Sequence, residues 1–262
     1  MTHHLRTLTL AGLLAATLAG AAGAATVVYS DDFATNPFAT RWSQTFPGGS
    51  YDLQWTGNSN PNSWNANLPV NANAHSVYSF SDGQRTMSTT DTSVPAGVTG
   101  WTTMSYAVDF ILGGTGGVDN NYVAMLVNRN GDNGYTPAIY TGGNGNILWS
   151  GAYGDTTWSG LLTQADTWYR FKTTVTKSGA DIAMYSEILD LANTVLATSP
   201  TYTATNAAYT DPNGFKMLLN NGGGYWNHAS QIDNFTVTAT VPEPATLALL
   251  GLGAVALFRR RR

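Results

Sequence analysis

The chain has 262 residues, no cysteine, only 11% charged side chains and a formal net charge of −4. Without cysteine it has no disulfide, iron–sulfur cluster, thiolate metal site or cysteine nucleophile. Before the four arginines at its end, its scattered basic residues lack the clustered Lys and Arg that nucleic acid or anionic lipid would need.

Residues 1–24 hold one basic side chain, Arg6, then an apolar run over 8–19 and the small residues Ala22, Gly23 and Ala24. This layout predicts a secretory signal helix cleaved after Ala24, since the apolar run falls short of the ~20 residues of a bilayer span. One domain is expected over 25–240. It keeps seven of the basic residues and fifteen of the sixteen acidic ones, a charge near −8.

Within the domain, weak strands are expected at 26–29, 51–55, 76–80 and 85–88, with a long Asn-, Pro- and Ser-rich loop over 57–73. Over 104–112, Met104, Tyr106, Val108, Phe110 and Leu112 alternate with Ser105, Ala107, Asp109 and Ile111, the period of a strand with one buried face. A buried strand over 122–127 follows, then weaker ones over 137–140 and 146–149. Tyr169, Phe171, Thr173 and Val175 alternate with Arg170, Lys172 and Thr174. After the turn at 177–180, Ile182, Met184 and Ile188 continue the pattern. Phe215, Met217 and Leu219 mark another strand, and Phe235 and Val237 the last, with Asp233 on their parity. Gly- and Asn-rich turns separate the strands, and no helical period is sustained outside the two ends. A dozen short strands with polar turns predict an all-β, two-sheet sandwich or jelly roll.

Residues 241–262 begin Val241-Pro242-Glu243-Pro244, continue as an apolar run over 245–258 and end in Arg259, Arg260, Arg261 and Arg262. Pro-x-Pro enforces an extended spacer. The apolar run predicts a short transmembrane helix, and the arginines hold its far end on the cytoplasmic side. These three parts in this order resemble the PEP-CTERM sorting signal. The resemblance implies an exosortase-type membrane protease as partner, cleavage near Pro-Glu-Pro and a transient hold in the membrane. It implies release to the outer surface or matrix of a Gram-negative bacterium, in the company of exopolysaccharide. A second resemblance spans the domain. Asp31-Asp32-Phe33 with Trp42, the strand Trp168-Tyr169-Arg170-Phe171 and the closing Ile232-Asp233-Asn234-Phe235-Thr236-Val237 are similar to concanavalin A-like and laminin-G-like jelly rolls.

Candidate chemistry is sparse. Glycoside hydrolysis needs two carboxylates flanking the bond. The only domain glutamate, Glu187, lies opposite in parity to Ile182, Met184 and Ile188, so it is expected to face solvent. The domain histidines, His75 and His228, carry no metal or triad spacing. A non-catalytic role is therefore expected. Structural calcium takes carboxylate oxygens, and Asp31, Asp32 and Asp233 are its candidate ligands, because first and last jelly-roll strands often pair. Carbohydrate binding has the most residue support: aromatics lie beside turn residues at Trp149, Tyr153 and Trp158, and again at Asn221, Tyr225 and Trp226. The reading is an exported surface protein that binds or accompanies exopolysaccharide. Its competitors are a structural matrix protein without a ligand site and a polysaccharide-cleaving enzyme.

Overall fold

The computed structural model describes residues 24–45, 53–56, 76–79, 83–89, 100–112, 122–130, 133–135, 137–141, 147–150, 158–161, 167–204, 214–221 and 230–241. In chain order its strands are β1 (Ala25–Asp31), β2 (Trp42–Thr45), β3 (Gln54–Thr56), β4 (Ser76–Ser79), β5 (Gly83–Thr89) and β6 (Thr103–Leu112). There follow β7 (Tyr122–Asn130), β8 (Asn133–Tyr135), β9 (Ala138–Thr141), β10 (Ile147–Ser150), β11 (Trp158–Leu161) and β12 (Tyr169–Ser178). The last are β13 (Asp181–Leu189), β14 (Val195–Thr198), β15 (Tyr202–Ala204), β16 (Lys216–Asn221) and β17 (Ser230–Thr240). A 3-10 turn, Pro37–Ala39, is capped by the Asn36 side chain accepting from the Phe38 N–H. The expected signal helix, the 57–73 loop and the tail helix lie outside the described residues. Among those described, no helix is long and apolar enough to cross a membrane.

Two antiparallel sheets form a sandwich. The first runs β14-β13-β12-β6-β17-β4-β3, with β1 on β17 and β15 on β13; the second runs β11-β10-β9-β7-β16-β5-β2, with β8 on β7. The core lies between them because each central strand alternates. Tyr106, Val108 and Phe110 of β6 and Phe171 and Val175 of β12 are buried from one side, Val123, Met125, Met217 and Leu219 from the other. Where the sheets meet at the β1 end, rings bridge them: Trp42 lies edge-on to Phe235 at 5.7 Å and to Tyr29 at 5.9 Å, and Phe215 lies 5.7 Å from Phe235. Such ring pairs add about 0.5–1.5 kcal/mol each beyond their buried area.

One strand departs from its sequence pattern. Simple alternation would put Asp233 on the face of Phe235. A bulge between Asp233 and Thr236, with Asn234 at φ 50°, shifts the phase. Ile232, Phe235 and Val237 reach the core, while Asp233 stands opposite Asp109 on the outward parity of β6. Here β17 also changes neighbour on its other edge, from β4 at Ile232 to β1 at Phe235.

Candidate functional site

The three candidate calcium ligands occupy different environments. Asp31 ends β1 opposite Phe235, with its side chain 2% exposed. Its Oδ1 accepts from the Phe33 N–H at 2.9 Å and Arg41 Nη2 at 3.0 Å; its Oδ2 accepts from Arg41 Nε at 2.7 Å and Trp42 Nε1 at 2.9 Å. A carboxylate has about four lone-pair positions, and these four donors fill them. A cation at Asp31 would have to displace a guanidinium. The hydrogen bond to Asp31 raises the pKa of Arg41 above its ordinary value, against a smaller opposing effect of burial. The sign is therefore that the arginine's share of the stabilisation is present below its unfolded pKa and fades as pH rises through the folded one. Asp32 is exposed and caps a local turn by accepting from the Ala34 N–H. Among the described residues no three acidic or His side chains are grouped to hold a metal ion. The donor set at Asp31, Asp32 and Asp233 does not fit calcium.

Asp233 belongs to a second polar cluster, on the outward side of the first sheet. Asp109 takes Arg170 bidentately, at 2.7 and 3.1 Å, and the Asn234 amide at 3.0 Å. Asn234 also donates its backbone N–H to Asp233 Oδ1 at 2.7 Å, and its amide reaches Asp233 Oδ2 at 3.3 Å. Arg170 Nη1 completes the cluster on Asn193 Oδ1 in the β13–β14 turn. Asp109 and Asp233 are 2% and 0% exposed. Buried charges persist only when paired and hydrogen-bonded, and this network ties β6, β12, β17 and one turn into a rigid slab. Further along that face, Lys172 pairs with Glu187 at 2.9 Å across β12 and β13, and Ser105 Oγ meets Thr174 Oγ1 at 3.1 Å. Glu187 thus faces outward, as its parity predicts, with its carboxylate in an ion pair.

The outward side of the second sheet is built differently. The register aligns Ala138 of β9, Ala124 of β7, Leu218 of β16 and Thr86 of β5 in one cross-strand row. Ala124 is 1% and Thr86 7% exposed, although neither faces the core. The row sets the short side chains Ala138, Ala124 and Thr86 beside Leu218 on the outward parity of the sheet. Two residues along each strand, on the same parity, the next row holds the positions of Tyr140, Tyr122, Asn220 and Gln84. That row places two tyrosine and two amide positions beside the first.

The aromatic candidates distribute around this sheet. Trp149 and Trp158 stand opposite one another on β10 and β11. Trp149 falls in the register row of Ile139, Val123 and Leu219, all buried in the core. Asn221 ends β16 opposite Gly83. Tyr153, Tyr225 and Trp226 lie outside the described residues, as do Pro242, Glu243, Pro244, Arg259, Arg260, Arg261 and Arg262. The Tyr122–Tyr140 row drew no attention in the sequence, because adjacency across strands is set by register and leaves no mark along one strand.

Comparison with known proteins supports both halves of this description. Residues 240–262 match the PEP-CTERM protein-sorting motif, so the tail is a sorting signal of the kind an exosortase processes on export. No protein of curated function matches the chain in sequence. Solved structures share its fold. The CBM2 module of the evolved Dit of Lactobacillus casei BL23 phage J-1 aligns with a TM-score of 0.52 at 12% identity, over 85% of this chain and 99% of that one. The carbohydrate esterase of the Shiga toxin-encoding bacteriophage phi24B aligns at 0.50 and 11%, over 82% and 99%. A GH43 glycoside hydrolase aligns at 0.50 and 12%, over 80% of this chain and 40% of its own. The domain is a jelly-roll sandwich carrying a PEP-CTERM tail.

Proposed function

We propose that this chain is an exported, exosortase-processed surface or matrix protein that binds polysaccharide without cutting it, on the outward face of its second sheet. The observation that carries this reading is a pair of neighbouring register rows on the outward parity of that sheet, Ala138, Ala124, Leu218 and Thr86 beside Tyr140, Tyr122, Asn220 and Gln84. Sugars offer C–H faces to aromatic rings and hydroxyls to amides, so a ligand of this class needs little charge from the protein. The acidic domain, near −8, favours a neutral glycan. The fold is also that of a carbohydrate esterase and a glycoside hydrolase, but fold alone does not transfer activity. Glu187, the domain's only glutamate, is tied to Lys172, which supports a role without catalysis.

The test is binding of the full chain, held in detergent, to an array of neutral and acidic bacterial polysaccharides. Neutral glycans are expected to bind, and Tyr122→Ala to weaken them at least about tenfold, ~1.4 kcal/mol. Loss on Trp226→Ala instead would move the site to the β16–β17 connection. An array with no positive spot favours a structural matrix protein without a ligand site, and release of sugar from any polysaccharide makes it an enzyme.

A further inference from the structure

We infer that the strand-end pole of the first sheet, where the chain enters at Ala25 and leaves at Val241, is the surface this domain lays against the lipid headgroups while its tail is held in the membrane. The inference rests on reading that tail as a membrane-held sorting segment, and it adds which face of the domain the membrane meets.

The geometry begins with register. Ala25 pairs with Thr240, so the segments before β1 and after β17 depart from neighbouring positions. The exit point is fixed. The Thr240 carbonyl accepts from Thr102 N–H at 2.9 Å and Thr102 Oγ1 at 3.3 Å, and Thr102 O in turn accepts from Lys177 N–H at 2.8 Å. Val241 is half-buried against the core. Only Pro242, Glu243 and Pro244 then separate the packed domain from the apolar run that starts at Ala245. Three residues span at most about 10–11 Å, and proline stiffens them further. The headgroup layer beside a ~30 Å hydrocarbon core is itself roughly 5–8 Å deep. A tether this short keeps the pole at headgroup depth.

The chemistry of the pole suits that position. Among the described residues, the side chains exposed there are small and uncharged: Ala25, Gly100, Thr102, Ser178, Gly179 and Ala180. Covering them removes little bound water. The expected cleavage after Ala24 would leave the Ala25 ammonium at this pole, a cation that anionic headgroups accept, and the half-buried Asp181 pairs in register with Ser178. Lys177 has its ammonium 3.9 Å from the centroid of the buried Trp101 ring. The opposite end of the same sheet carries the exposed Leu191 in the turn after β13.

The absence of native cysteine makes the test direct. Ser178→Cys at the pole and Leu191→Cys at the far end are prepared separately in the full chain. Each is incorporated into vesicles of phosphatidylethanolamine and phosphatidylglycerol and reacted with a bulky maleimide-polymer. Labelling of Ser178→Cys is expected to slow severalfold relative to detergent solution, while Leu191→Cys is unchanged. A flexible Gly-Ser segment inserted between Val241 and Pro242 restores the Ser178→Cys rate. Equal labelling at both sites on chains that float with the vesicles overturns the inference while leaving the sorting reading intact. Chains that do not float overturn the membrane hold itself. Protection seen only in native membranes, and not in lipid vesicles, assigns the pole to a protein partner and overturns the lipid assignment.

Discussion

The two outward faces of this sandwich share an architecture and differ in what they do with their polar groups. On the first sheet, Asp109, Arg170 and Asn234 bond to one another, as do Lys172 with Glu187 and Ser105 with Thr174. Their hydrogen-bonding capacity is turned inward, toward neighbouring strands. On the second sheet the central rows hold alanine, leucine and threonine, flanked by register positions of tyrosine and amide. One face braces the fold with polar side chains bonded to one another, and the other sets a mainly apolar row beside one of tyrosine and amide positions. A group already bonded to its neighbour has little left to offer a partner.

This contrast can be broken by substitution, and the largest effect is expected on the braced face. Asp109→Ala leaves Arg170 without its bidentate partner and should destabilise by about 3 kcal/mol, toward the low end for a broken buried pair because the arginine keeps some solvent. Chemical denaturation measures it; glycan affinity of the folded fraction should not change. Next comes the Ala138–Ala124–Leu218–Thr86 row. Ala124→Leu enlarges a buried residue of that row, costs about 1–3 kcal/mol through overpacking, and should abolish binding on the array. Retained binding would show that this row is not the site. A smaller effect is expected at the rim of the braced face: Lys172→Ala removes a part-exposed ion pair and should cost about 0–1 kcal/mol, with no change in binding. Smallest of all, a chelator should leave the thermal midpoint in place as far as Asp31, Asp32 and Asp233 are concerned, since Arg41 and Trp42 already fill Asp31. A fall of several degrees would place a cation on other donors.

The fold was legible where alternation was clean. β6, β12, β13 and β16 announce themselves because alternate residues are buried on one face and nearly all apolar, with Thr173 and Ser186 the polar exceptions. The strands that escaped were short or exposed. Val195–Thr198 and Tyr202–Ala204 share one edge of β13 with side chains turned largely to water, so no apolar period marks them. Trp42–Thr45 is only four residues long. The bulge at Asn234 was hidden for another reason: Phe235 and Val237 keep their period on either reading, and only the pairing with β6 reveals the shift that sends Asp233 outward. The tail was legible throughout, because a sorting signal is read from linear order. The candidate row was not, because Ala124, Leu218 and Thr86 lie far apart in sequence and meet only through register.

The place of β17 in the first sheet also governs when the domain can form. This last strand lies between β6 on one edge and β1 and β4 on the other. Until residues 230–240 are synthesised, the first strand has no partner there and the sheet has a gap at its centre. Contacts between the two ends of a chain close slowly, because a large loop must be ordered before any pairing repays it. A nascent chain of this design cannot complete its first sheet until nearly all of it is made, which suits a polypeptide that must be threaded across a membrane.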